Sequence, residues 1–482
     1  MAYNHGVRTL ENPTSLTVPI TGTAGLQVVV GVAPVNMAED PYSCTNTPML
    51  AYSFAEASAA VGYNDDFANY NICESIDASF RVTNVAPIVL INVLDPKKHV
   101  KDFTEQEFPV VNGQATVTIK GILPDKLTVK HGSAKLEADD YIITFDSDGN
   151  AIITILSVLA QPGGNTIKVS GKQIAPEMVT KTDIIGSYNA ETGEETGLEV
   201  IRQVFPKLGL TPGLIVCPGW SKDPNIAAAI AAKCTGINGV FKCEAVVDLD
   251  STETGAKKYT DVKTQKEASA MISEHLDIEW PCAKIGDKIY HMSAIKAAYT
   301  AYTDAENDDV PCQSPSNIAI AISGICLEDG TEVVLDEQQA NIVNSYGVNT
   351  CINFNGWHTW GNRTAVYPSS SDPKDAWFCC RRMFTWLSNN LILTYHQRVD
   401  GLASYRLVQS IVDDENVNMN ALAAQGRIAG GYIEFLESEN PTTNIMNGKV
   451  QFRIHLAPWT PAEDILFVLE FDPSILAAAF TA

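Results

Sequence analysis

The stretch GLIVCPGWSKDPNIAAAIAAKCTGINGVFKCEAVVDL, residues 213–249, decides how the chain is read. Gly213-Leu214-Ile215-Val216-Cys217 is an apolar run of strand length, closed by Pro218 and Gly219. Asp223 followed by Pro224 makes an N-cap and first helical position, so a helix carries the alanine-rich segment 225–233. A second strand pattern follows at 241–249. Strand, helix and strand in this order make a βαβ unit, whose crossover sets the two strands parallel. The same grammar recurs upstream: QVVVGVA (27–33) ending at Pro34, helical patterns over 53–61 and 69–81, then PIVLINVL (87–94). Strands this apolar on both faces belong in a sheet covered on both sides. The crevice beyond the strand ends is where α/β enzymes hold ligands, here near Trp220. Gly209, Gly213 and Gly219 lack dinucleotide or phosphate-loop spacing, so no nucleotide site is expected.

At Asp95-Pro96-Lys97-Lys98 the character changes to short strands with tight turns. Asn112-Gly113 is a hairpin turn, and the runs 141–145 and 151–156 flank the turn Asp146-Ser147-Asp148-Gly149. That turn lacks the spacing and terminal glutamate of a calcium loop and reads as a plain turn. The expectation is a β-sandwich at 98–180 inserted between two parts of an α/β domain, 26–97 and 181–378.

Two regions lie outside that body. Residues 1–25 read as an arm in which Val7, Leu10, Leu16, Val18 and Ile20 are separated by polar residues and prolines. Residues 379–482 form a C-terminal α+β region opening with a helix over 380–398, whose ridge is Met383, Leu387, Leu391 and Tyr395. Arg381 and Arg382 sit at the helix end that repels cations, so they are either paired with acids or solvated. Strands are expected at 432–436 and 450–456, with Asn447-Gly448 as the turn before the second. The last strand, 465–471, is apolar on both faces, carrying Ile465, Phe467, Leu469 and Phe471. Left as an open edge it would aggregate, so this chain or a neighbour should cover it. Between body and tail, the aromatic and arginine-rich stretch 355–400 has two readings: a pocket lined by Trp357, His358, Trp360, Asn362 and Arg363, or a rigid knot introducing a docking helix.

With 482 residues, about two to four domains are expected. The 57 acidic against 33 basic residues give a net charge of −24, which argues against nucleic acid or anionic lipid as a partner. No apolar run has the length of a membrane span, and MAYNHGVRTLENPTS has no apolar signal core. The eleven cysteines include no CxxC pair, so free thiols in a reducing compartment are expected and no metal. No GxSxG elbow and no HExxH or HxH spacing appears, and His358 has no evident catalytic partner. Glu306-Asn307-Asp308-Asp309 reads as an exposed acidic loop. No catalytic residue and no cofactor is expected.

Several segments, in order along nearly the whole chain, resemble the tail sheath proteins of contractile-tailed bacteriophages and phage-tail-like particles. They are His5-Gly6-Val7-Arg8 with Glu11 and Pro13-Thr14-Ser15; Asn46-Thr47-Pro48-Met49-Leu50 with the helix pattern 55–62; Ser314-Pro315-Ser316-Asn317; Trp360-Gly361-Asn362-Arg363-Thr364; Cys380-Arg381-Arg382-Met383-Phe384; and the ending from Gly448-Lys449 through Pro461, Ile465 and Phe467. The resemblance implies a central domain of subtilisin-like fold without proteolysis, and a C-terminal assembly domain. It implies stacked hexameric rings around an inner tail tube, with terminal arms exchanged between subunits, baseplate and tail terminator proteins at the ends, and assembly in the bacterial cytoplasm. Contraction would drive the tube through a cell envelope. Within that frame, Val7, Leu10, Leu16, Val18, Ile465, Phe467, Leu469 and Phe471 are candidates for strand exchange, and Arg381 and Arg382 for tube contact. The competing reading is a cytoplasmic α/β enzyme with an inserted β domain and a pocket near Trp220 or 357–363.

Overall fold

A computed structural model of the chain describes residues 20–132, 134–156 and 166–480. At its centre is a six-stranded sheet in the order Leu276–Glu279, Glu244–Asp248, Leu214–Val216, Gln27–Gly31, Ile88–Asn92, Met49–Ala51. Five strands are parallel, and Met49–Ala51 runs antiparallel at one edge. The apolar runs read from sequence are fully buried, as strands covered on both faces must be. Asp223 accepts a hydrogen bond from the Asn225 backbone N–H at 2.8 Å and caps the helix Pro224–Cys234 as expected.

The strand Leu276–Glu279 and the helix Met292–Glu306 had no clear sequence signal, because both carry charge into the interior. Glu279 lies 3.5 Å from the Lys296 ammonium, which also donates to the Pro315 carbonyl at 2.9 Å. Asp277 accepts from Asn349. Buried charges persist only with such partners.

Residues 100–174 leave and rejoin the body through one antiparallel strand pair, Val100–Pro109 with Thr166–Ile174, in which Val100 faces Ile174. Beyond it, a four-stranded and a three-stranded antiparallel sheet enclose a separate apolar cluster that includes Phe108, Val117, Val129, Ile153 and Ile167. Asp146 accepts from the backbone N–H groups of Asp148 and Asn150, closing a plain turn.

The C-terminal region opens with the helix Phe378–Tyr395, followed by Tyr405–Ala424, which the sequence reading missed. A two-stranded sheet, Ile428–Glu434 paired with Arg453–Pro458, packs near them. Val310, Met383, Leu387, Met419 and Ile428 form the small shared core. Two expectations are corrected here. Asn447 and Gly448 do form a turn before the strand, after the short helix Thr442–Met446, but the strand runs Arg453–Pro458 and not 450–456. Residues 465–471 form no strand within the subunit.

Candidate functional site

Residues 462–480 are exposed throughout. Ile465 is 66% exposed, Phe467 82%, Leu469 93% and Phe471 79%. The helix Pro473–Ala479 after them buries no residue either. A segment this apolar, held out from its own subunit, is incomplete as it stands. Among the described residues, the sheet Ile428–Glu434/Arg453–Pro458 has only two strands, and each keeps one edge unpaired. Val7, Leu10, Leu16 and Val18 lie outside the described residues.

The root of this segment is tightly held. Arg363 donates to Glu463 from Nε at 3.0 Å and from Nη2 at 2.5 Å. Its guanidinium lies 3.4 Å from the Trp377 ring centroid and 4.4 Å from that of Tyr367. The rest of WGNRT is equally engaged. Trp360 Nε1 donates to Asn341 at 2.9 Å, the Gly361 N–H to the Ser316 hydroxyl at 3.0 Å, and the Thr364 hydroxyl to the Asp375 carbonyl at 2.6 Å. Gly361 has φ 124°, a conformation that side-chain-bearing residues rarely adopt. The motif therefore binds the 314–317 segment, the 341–349 region, the helix entry and the tail root together. The His358 ring meets the Gly356 carbonyl at 2.9 Å through Nδ1, and its backbone is paired in a strand with Ile352. Of the two readings of 355–400, the knot is the one this geometry fits.

Arg381 and Arg382, the candidates for tube contact, are both paired with acids inside the subunit. Arg382 is 2% exposed, and its guanidinium forms a two-pronged pair with Asp304, Nη1 to Oδ1 at 2.8 Å. Freeing it would strand a buried carboxylate, at about 3–5 kcal/mol. Arg381 donates to Asp375 at 3.0 Å and lies over the Phe384 ring. Arg382, Thr385 and Asn389 form a polar stripe that docks the helix on the central domain. Thr385 donates to Glu244 at 2.5 Å, and the Asn389 amide meets the Lys242 carbonyl at 2.7 Å and its N–H at 3.1 Å.

The crevice at the carboxyl ends of the central strands is a cavity of about 430 Å³ whose polar lining, Asn71, Trp220, Lys222, His291 and Glu328, is committed to protein partners. Asn71 accepts from the Val32 N–H at 2.9 Å and donates to the Pro218 carbonyl at 2.9 Å, and the Trp220 indole donates to Asn71 at 3.2 Å. Beside it, His291 is held between two carboxylates. Nδ1 is 2.9 Å from Glu74 and Nε2 3.3 Å from Glu328, which also pairs with Lys222. Burial alone would lower the imidazole pKa, but the Glu74 and Glu328 carboxylates outweigh it and hold it well above the usual histidine range. Burial opposes ionisation of Glu328 too, yet the hydrogen bond and charge of His291 with those of Lys222 bring it down to about 2. A histidine with both nitrogens committed has no lone pair for base catalysis. The nearby Cys282 thiol is pushed up to about 12 by burial, the wrong direction for a nucleophile. Ser221 and Ser293 both donate to Asp248, at 3.0 and 2.8 Å, with no histidine between. Among the described residues no group of histidine, cysteine and carboxylate side chains has metal-site geometry, and no helix is long and apolar enough to cross a membrane.

No family model matches the chain. It is 22% identical over 487 aligned residues to the tail sheath protein of Burkholderia phage BcepMu, covering 98% of each. It is 23% identical to the tail sheath protein of Escherichia phage P2, over 63% of this chain and 74% of that one. A 27% match to a putative prophage major tail sheath protein of Pseudomonas aeruginosa covers 60% and 72%. In fold it is similar to a chain of the anti-feeding prophage baseplate, with TM-score 0.59 and 12% identity over 98% and 100% of the two chains. It is also similar to a chain of the PVC sheath complex of an extracellular contractile injection system in its contracted state, with TM-score 0.58 and 14% identity over 98% and 99%. The curated homologues of this chain are thus tail sheath proteins of phages and prophages, structural proteins and not enzymes, and its mixed α/β fold is the one found in contractile sheath assemblies.

Proposed function

We propose that the chain is the structural subunit of a contractile tail sheath, polymerising as stacked hexameric rings around an inner tail tube. In this reading the subtilisin-like central domain is a rigid body, the β-sandwich at 98–180 lies on its outer side, and the C-terminal domain at 379–482 joins neighbours. Baseplate and tail terminator proteins close the two ends, and assembly takes place in the bacterial cytoplasm. The observation that carries it is the exposed apolar segment through Ile465, Phe467, Leu469 and Phe471, in a molecule whose C-terminal sheet has, among the described residues, two strands with one edge each unpaired. Adding that segment to a neighbour's sheet would pair its main-chain groups and bury its side chains, each contributing about 1.5–3 kcal/mol when fully covered. The N-terminal arm, with Val7, Leu10, Leu16 and Val18, would exchange in the same way. Hydrogen-bonded sheets shared between subunits can persist while the rigid bodies rotate. Contraction is then a switch between two packings of the outer surfaces and drives the tube through a cell envelope. Electron microscopy of the purified full-length chain tests this. Tubes or helical arrays are expected, and a monodisperse small particle at high concentration refutes it.

A further inference from the structure

The turn after the helix Met292–Glu306 meets two parts of the molecule at once. Asp309 accepts from the Thr23 N–H at 2.6 Å, the Thr23 hydroxyl at 2.7 Å and the Ala24 N–H at 2.6 Å, at the point where the chain leaves the central sheet toward its N-terminus. Residues 22–25 lie directly on the helix. A Cβ on Gly25 would stand 2.7 Å from both Ala301 Cα and Asp304 Oδ2, so only glycine allows this approach. The neighbouring residues of the turn face the other way. Val310 is 4% exposed and belongs to the C-terminal core with Met383, Leu387, Met419 and Ile428. Asp308 pairs with Arg427, immediately before the strand Ile428–Glu434, and Asp304 pairs with Arg382 of the docked helix. Asp308 and Asp309 are both left-handed, at φ 55° and 63°, and the Asp309 N–H returns to the Asp304 carbonyl at 2.9 Å. Consecutive residues of one stiff turn thus grip the root of the N-terminal arm and plug the C-terminal core.

We infer that residues 304–310 are a mechanical junction, with Asp309 as its positioning residue, so that the arm root and the C-terminal sheet cannot be displaced independently. This rests on the sheath reading only for its use: tension on an arm held by one neighbour would reach the sheet that receives the arm of another. The physical basis is local. Moving Thr23 and Ala24 pulls on the Asp309 carboxylate, and residue 310 cannot shift without opening the small core around Met419.

Hydrogen–deuterium exchange on the unassembled full-length chain tests it, whatever the chain does as a polymer. Asp309→Gly removes the acceptor while keeping the left-handed turn accessible. Arg427→Met removes the contact at the other side and touches neither Thr23 nor Ala24. Each variant should accelerate exchange on both sides, in peptides spanning 20–26 and 427–434, by about tenfold where a charged hydrogen bond is lost. The strand Glu244–Asp248 should keep its protection. Acceleration confined to the side carrying the substitution overturns the junction, and so does acceleration spread equally over Glu244–Asp248. Failure of the wild-type chain to form tubes would refute the sheath reading and leave this result standing.

Discussion

Arg363 and Glu463 are one hundred residues apart, yet the guanidinium donates to the carboxylate at 3.0 Å through Nε while lying against the Trp377 ring. Beyond this pair residues 464–480 are all exposed. Arg363→Lys keeps the charge but loses the fork and the stacking. It should weaken the docked root by about 1 kcal/mol. Chymotrypsin cleavage after the exposed Trp459 would read this as a several-fold faster cut, and an unchanged rate means that the pair does not hold the root.

Deleting residues 465–482 should abolish tube formation and leave the melting temperature of the subunit nearly unchanged, because residues 465–480 are exposed in their own chain. Electron microscopy and a thermal melt on the same sample separate the two effects. Tubes formed by the truncated chain would sink strand donation by this segment.

Asp304→Asn or Arg382→Met should each cost about 3–5 kcal/mol in denaturant unfolding, because each leaves one buried charge unpaired. The double variant should cost clearly less than the sum. Additive losses would mean that the two side chains act independently.

The His291 cluster sets a pH window. The folded imidazole pKa lies well above its unfolded value near 6.5, so its contribution is complete below that value and is lost as pH rises through the folded pKa. Glu328 works in the opposite sense: depressed to about 2, it contributes above its unfolded value and loses that as pH falls toward 2. Melting temperatures across pH should therefore decline on the alkaline side in the wild type, and His291→Gln should lower the plateau and flatten that decline. Parallel curves for the two proteins would show that His291 is not the titrating group.

How much of this was legible in sequence depended on whether an element's interior was apolar. The strands Gln27–Gly31, Ile88–Asn92 and Leu214–Val216 announced themselves as valine- and isoleucine-rich runs. The strand Leu276–Glu279 did not, because Asp277 and Glu279 look solvent-facing until Asn349 and Lys296 are seen beside them. The helix Tyr405–Ala424 buries only Glu415 and Met419 and so shows little apolar stripe. Arg381 and Arg382 were rightly suspected of having acidic partners. Asp304, however, is 78 residues from Arg382, a separation no local pattern encodes. The apolar tail was visible as a sequence in need of cover, and its isolation within the subunit became visible only in three dimensions.

The segment 100–174 leaves and rejoins the body through one pair of strands, with Val100 opposite Ile174, and keeps a core of its own, while Leu123 packs into the central core and Asp125 accepts from Tyr42. Its attachment points are therefore neighbours, and a short turn could close the gap if it were cut away. Such a graft point lets foreign domains be carried by this chain, or this one exchanged, without redrawing the body that holds it.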